Sequence, residues 1–253
     1  MKIVISPAKS LDFSTALPTE NYTQSSFLTE TETVHATLVK QKPADLKSLM
    51  HISDALANLN WERNQQFQLP FTTANARQAV YAFSGDVYQG LDAYSLKPNQ
   101  IESMQNTLLI LSGLYGIVKP LDLIQPYRLE MGTKMAIGTA KNLYEFWKPQ
   151  LTAYINSNMK SGELLVNLAS TEYFSALDKK ALQPTVIAPV FKDWKNDKLK
   201  IISFFAKKAR GTMTRFLIEN KAESVNDILA FAEDGYAYSS EYTTDPNQPV
   251  FVR

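Results

Sequence analysis

Lys2-Ile3-Val4-Ile5-Ser6-Pro7-Ala8-Lys9-Ser10 is a β-branched run that breaks at a proline, the pattern of a strand feeding a loop. Outward from it, the apolar residues change period. Between Phe27 and Phe67 they recur at helical spacing (Leu46, Leu49, Met50, Ile52, Leu56, Leu59), with Pro43 suited to a first helical turn, so two or three helices are expected. Asn75 to Phe83 continues the helical pattern, and Gly85 and Gly90 read as punctuation after it. Thr107 to Leu111 is strand-like. Ser112 to Gly138 holds four of the nine glycines and two prolines yet keeps Leu, Tyr, Ile and Met, so ordered loops packed on a scaffold are expected there.

The second half alternates again. Asn142 to Asn156 and Thr171 to Leu182 read as helices, and Glu163 to Leu168, Thr185 to Phe191 and Leu199 to Phe205 as strands. Lys207 to Glu219 is helical, Ser224-Val225-Asn226-Asp227 is a capping box starting another helix, and Val250-Phe251-Val252 is a last short run. Strands scattered among helices without a regular rhythm predict a mixed α/β (α+β) fold. The expectation is a single compact domain over residues 1–253, with a central mixed sheet surrounded by helices.

Composition narrows the function. The 253 residues contain no Cys, which removes disulfides, thiolate nucleophiles and cysteine metal sites. His35 and His51 are the two imidazoles and lie in helical context, so neither a His-centred metal site nor a Ser/His/Asp triad is expected. No metal and no cofactor enter the reading. No apolar run approaches the roughly 18–20 residues that span a bilayer, and the start is too short for a secretory signal, so a cytoplasmic location without membrane contact is expected. Dinucleotide and P-loop glycine fingerprints are missing. The net charge is +1, so any charged site must come from local clustering.

That clustering lies late in the chain. Residues 192–221 carry nine bases (Lys192, Lys195, Lys198, Lys200, Lys207, Lys208, Arg210, Arg215, Lys221) against Asp193, Asp197 and Glu219, a surplus of +6; residues 222–253 hold six acids and one base. On a helix Lys208 and Arg215 share a face and Lys207 sits one turn from Arg210, beside an expected small-residue turn at Gly211. A phosphate-binding rim and a solvated face balanced by the acidic tail are both open on this pattern. Elsewhere, Gly113 and Gly116 form either an anion nest or a plain turn. Arg128 and Glu130 form either an anion clamp or an internal brace. Lys9 follows a strand end, where open α/β sheets place ligand groups. Ser170 is a plausible helix N-cap in Asn167-Leu168-Ala169-Ser170-Thr171.

These segments resemble the peroxide-stress resistance protein YaaA family. The resemblance is carried, in family order over nearly the whole chain, by Ser6-Pro7-Ala8-Lys9-Ser10-Leu11-Asp12, Gly85-Asp86-Val87-Tyr88-Gln89-Gly90-Leu91, Leu111-Ser112-Gly113-Leu114-Tyr115-Gly116 and Lys119-Pro120-Leu121-Asp122. Pro126-Tyr127-Arg128-Leu129-Glu130-Met131-Gly132, Asn142-Leu143-Tyr144-Glu145-Phe146-Trp147, Asn167-Leu168-Ala169-Ser170, Lys208-Ala209-Arg210-Gly211 and Arg215-Phe216 complete it. Residues 14–80 and the tail after Gly235 carry little of it. The resemblance implies a cytoplasmic protein that limits unincorporated iron and oxidative DNA damage under hydrogen peroxide. It also implies a positively charged cleft, a helix-hairpin-helix element near the C-terminus and binding to duplex or branched DNA. Here the segment most like that element is Lys207 to Ala232, whose turn Asn220-Lys221-Ala222-Glu223 lacks the usual glycine.

The resulting expectation is a monomer that binds DNA without sequence specificity through Lys9, Arg128, Lys207, Lys208, Arg210 and Arg215. Whether the protein is also an enzyme stays open. That alternative acts on an anionic small molecule or a nucleic-acid lesion, in a pocket formed by Lys9, Arg128, Glu130 and Asn167, with Ser6, Tyr127 and Ser170 nearby. Direct iron sequestration would need Asp86, Asp122 and Glu130 to converge. The DNA reading requires cations dispersed along the chain to share one concave wall.

Overall fold

The computed structural model describes residues 1–160 and 162–253. A central five-stranded sheet is built from β1 (Lys2–Ile5), β2 (Leu108–Ser112), β3 (Gly116–Val118), β4 (Leu164–Asn167) and β5 (Thr185–Ile187), in the spatial order β3-β2-β1-β4-β5. β1 pairs in parallel with β2 (Ile3 beside Leu108) and with β4 (Ile3 beside Val166); β4 and β5 are parallel, and β3 runs antiparallel at the edge. Ile3, Val4 and Ile5 are completely buried, as a strand covered on both faces must be. The fold is therefore mixed α/β, with helices packed around this sheet.

Those helices are α1 (Leu28–Leu38), α2 (Pro43–Met50), α3 (Asp54–Gln66), α4 (Asp86–Leu91), α5 (Pro98–Thr107), α6 (Leu143–Ser157), α7 (Ser203–Glu219) and α8 (Val225–Leu229), besides single turns at Ala79–Ala82 and Thr171–Phe174. A second sheet, order β7-β6-β9-β8, comprises β6 (Val190–Lys195), β7 (Lys198–Lys200), β8 (Ala237–Ser239) and β9 (Val250–Val252). One contiguous apolar core links the two sheets, reaching from Ile3 through Trp147 to Phe191 and Phe251. The second sheet is latched by charge: Arg253 Nε and Nη2 lie 2.8 and 2.6 Å from the carboxylate of buried Asp193, which also accepts from Tyr236 Oη at 2.8 Å.

Several local expectations change. Asn75 to Phe83 is not one helix: Arg77–Gln78 and Phe83–Ser84 are short strands flanking the Ala79–Ala82 turn, paired to Leu123–Ile124 and Ser10–Leu11. Every residue from Arg77 to Phe83 is buried, so no polar face was present to reveal the true period. The run Thr185 to Phe191 splits at Ala188-Pro189 between the two sheets, since Pro189 has no N–H for a ladder. The helix expected to Leu182 stops at Phe174, and the Asp178 N–H goes instead to the Thr152 hydroxyl at 2.9 Å. Apolar Leu199 to Phe205 is β7 followed by the start of α7, which begins four residues before Lys207.

Gly211 is not a turn. It sits inside α7 against Gly90 inside α4, where a Cβ on Gly211 would lie 1.9 Å from the Val87 carbonyl oxygen and one on Gly90 2.2 Å from that of Lys208. These two glycines allow backbone-to-backbone contact, which fixes α7 beside the loops that follow β1. Beyond α7, Lys221 adopts a left-handed conformation (φ 49°) in the turn to α8, whose N-cap Ser224 and Asp227 form the expected capping box.

Candidate functional site

Numbered along the chain, the four parallel strands lie in the order 2-1-3-4, so the connections leaving β1 and β4 run in opposite directions across the sheet. In such sheets a crevice opens outside the carboxyl ends of those two strands. A cleft of about 480 Å³ lies there. Its walls are the loop after β1 (Ser6 to Ser10), the loop after β4 (Leu168, Ser170, Glu172, Tyr173), the start of α4 and two side chains of α7, Lys207 and Arg210.

Hydroxyl contacts hold the two loops together. Ser6 Oγ accepts from the Ser170 N–H at 2.9 Å and lies 3.3 Å from Ser170 Oγ, while Ser170 Oγ in turn caps the Thr171–Phe174 turn. Tyr88 Oη donates to the Ser6 carbonyl at 3.1 Å. Burial pushes the phenols of Tyr88 and Tyr173 well above the ordinary tyrosine range, with Tyr127 adding to both, so they stay neutral hydrogen-bond donors. The serines and tyrosines thus present neutral polar groups, and Lys9, Lys207, Arg210, Asp86 and Glu172 supply the charged part of the lining.

The cations expected to act together divide into three groups. Lys207 is exposed at the rim and Arg210 is half-buried in the wall. Burial lowers the Arg210 pKa, and no carboxylate among the described residues pairs with its guanidinium. Lys208 and Arg215, on another side of α7, are neutralised: Lys208 Nζ lies 3.7 Å from Asp234, and Arg215 pairs with Glu219 at 2.9 Å and Asp92 at 3.5 Å while donating to the Leu91 and Asp92 carbonyls. The third group forms an adjoining crevice. There Lys9 Nζ lies 2.7 Å and Arg128 Nη2 3.5 Å from Glu130, beside Tyr127, whose hydroxyl is 2.7 Å from Ser112 Oγ. Gly113 is pressed against the Leu129 carbonyl, where a Cβ would come within 2.4 Å.

Asn167 lies apart from the crevice that holds Lys9, Arg128 and Glu130. It lines a neighbouring cleft, and its Oδ1 accepts from the Ala169 N–H at 3.1 Å. Sequence reasoning did not find Tyr88, Glu172 and Tyr173 as cleft residues, nor Arg63, which lines a separate cavity and whose pKa is lowered first by burial and then by Arg128. Helical spacing gave no sign that Arg63 would meet a residue so distant in sequence. Among the described residues no three His, Asp or Glu side chains gather in a metal-binding group, and Asp122 is turned inward, accepting from Thr23 Oγ1 at 2.5 Å and the Lys119 N–H at 2.7 Å. No described helix is long and apolar enough to cross a membrane.

Residues 1–242 match the family model described as peroxide stress protein YaaA. A UPF0246 protein of Flavobacterium johnsoniae is 57% identical over 253 residues, covering all of both chains. UPF0246 proteins of Flavobacterium psychrophilum (53% identity, all of both chains) and Alteromonas mediterranea (51% over 255 residues, all of this chain and 98% of the relative) are also similar. With the family model spanning nearly the whole chain and relatives matching end to end at more than half identity, the chain belongs to the peroxide stress protein YaaA family.

Proposed function

We propose that this chain serves the peroxide stress response as a cytoplasmic, monomeric DNA-binding protein that holds duplex or branched DNA without sequence specificity, limiting oxidative damage to it and the pool of free iron. The observation that carries this reading is the distribution of unpaired cations. The ion pairs among the described residues engage Lys9, Lys47, Lys208, Arg128, Arg215 and Arg253; among the many cations left without a carboxylate partner are Lys195, Lys198, Lys200, Lys207 and Arg210. These five lie on the β6–β7 hairpin and on the cleft side of α7, which follows β7 directly. A backbone phosphate meets less competition there than at Lys208 or Arg215. Side chains are the phosphate contacts in this reading, because the α7–α8 turn has no glycine to bring its amides close.

Each neutralised phosphate contributes about −0.9 to the slope of log affinity against log salt. With about four to six contacts, a fourfold rise in salt lowers affinity roughly two to three orders of magnitude. Fluorescence anisotropy of a labelled duplex across a salt series measures this. The double substitution Lys207→Ala with Arg210→Ala reduces the slope by about 2 on all sequences alike. A flat salt dependence overturns the DNA reading.

One observation favours a second reading, an enzyme for an anionic substrate: the cleft sits at the strand-order reversal where open α/β sheets bind ligands. Chemical change in an oxidised oligonucleotide, followed by mass spectrometry, separates catalysis from holding.

A further inference from the structure

The wall behind Arg210 has a second side. Along the segment Asn167 to Phe174, Leu168, Ser170, Glu172 and Tyr173 face the cleft described above, whereas Asn167, Ala169, Thr171 and Phe174 face a second cleft of about 430 Å³ between the central sheet and β6. Arg210 lines both clefts. Two spaces that share a polypeptide partition and one unpaired guanidinium suit a single ligand with an anionic part and a distinct body.

The chemistry of the second cleft describes that body. Val186, Val190 and Ile201 supply apolar surface, Asn167, Asn247 and Gln248 supply amides, and Lys179 and Asp245 add one charge of each sign beside Arg210. Asn167 commits its oxygen to the Ala169 N–H, Gln248 commits its NH₂ to Asp245 at 2.9 Å, and the Asn247 N–H is held by Asp245 at 2.9 Å. This leaves the Asn167 NH₂, the Gln248 oxygen and both ends of the Asn247 amide for a ligand. Free amide donors and acceptors in a cleft that also has apolar lining suit the edge of a nucleobase. The cavity size is that of ordinary small-molecule sites. Arg210 makes no ion pair among the described residues and burial lowers its pKa, so its guanidinium is open to an anion of the ligand.

We propose that the second cleft is a nucleobase site: the base of one unstacked nucleotide lies between Val190 and Ile201 with its edge on the amides of Asn167, Asn247 and Gln248, while its phosphate sits on Arg210 at the partition. The nucleotide is either free or one unit extruded from a strand held along α7; only the second source rests on the DNA-binding reading.

Two probes distinguish the sources. Deoxyadenosine monophosphate, titrated by calorimetry, tests the free nucleotide. A duplex carrying 2-aminopurine opposite a mismatch tests extrusion, since the probe brightens when it leaves the stack. Two variants keep the inference falsifiable. Asn247→Ala removes an exposed side chain but keeps the backbone carbonyl that accepts from the Ala188 N–H, and Ala188→Trp fills the cavity. At least one probe responds in the parent protein, and Asn247→Ala weakens or dims that response about tenfold while Ala188→Trp abolishes it. The inference is overturned if neither probe responds at saturating protein, or if a response survives both variants. Loss of duplex binding with intact monophosphate binding would remove the DNA reading and leave the base site standing. Duplex binding with both probes silent would do the reverse.

Discussion

Charge is handled in opposite ways at the second-sheet latch and at the cleft wall. In the latch, buried Asp193 is gripped by Arg253 and Tyr236, and Arg253 also stacks over the Phe205 and Tyr236 rings at 4.2 and 4.7 Å, so every ionised group has a partner within the chain. In the wall, Arg210 is half-buried with none. Full compensation holds structure together and leaves little attraction for a ligand. An uncompensated buried cation costs desolvation and keeps its field for what comes from outside. The same contrast runs along α7, where Lys208 and Arg215 are satisfied and Lys207 and Arg210 are not.

The largest test of this contrast is Asp193→Ala. Removing the carboxylate leaves the Arg253 guanidinium and the Tyr236 hydroxyl without their partner, and a loss of about 3–5 kcal/mol in denaturant unfolding is expected. A loss under about 1 kcal/mol would mean that the latch does not hold the sheet.

Asp122 is an intermediate case, a buried carboxylate satisfied by hydrogen bonds alone. Burial pushes its pKa up to about 6, against the lowering effect of Thr23 and Lys119. The native state therefore holds this proton more tightly than the unfolded chain. Its contribution to stability is complete below about pH 4, declines as pH rises to about 6 and is flat above, about 3 kcal/mol in all. Urea unfolding across this range measures the decline, and Asp122→Asn removes it; stability that rises over the same window in parent but not variant would reverse the assignment.

The smallest effect sharpens the comparison within α7. Arg215→Ala removes charge-assisted bonds to Asp92, Glu219 and two carbonyls, so it lowers stability by about 1–2 kcal/mol. It leaves the salt slope of DNA binding unchanged, whereas the paired Lys207 and Arg210 substitutions change that slope. Equal slope changes from Arg215 and from Lys207 with Arg210 would erase the distinction between the two sides.

Much of the scaffold was legible in local pattern. Lys2–Ile5 announced itself through β-branching and a following proline, and Ser224 through its capping box. Ser6, Lys9, Ser170, Lys207 and Arg210 meet in one cleft, but sequence alone placed them only at strand ends and on a helix. What remained hidden is long-range in origin. Lys208 resembles Lys207 in sequence, and it is the side of α7 each takes, together with the approach of Asp234 to Lys208, that separates their roles. The strand boundary at Pro189 depends on which sheet each half finds, and the helical start at Ser203 overrides a β-prone run because α7 packs on α4 and β6.

At the crossing of α4 and α7, methylene and carbonyl touch with no longer side chains between them to act as a cushion. The angle at which the cationic edge addresses the cleft is therefore dictated by main-chain shape, like a pin seated in a bearing. Sequence drift elsewhere on either helix can alter what the edge grips but not how it is aimed. A change at Gly90 or Gly211 would swing Lys207 and Arg210 together.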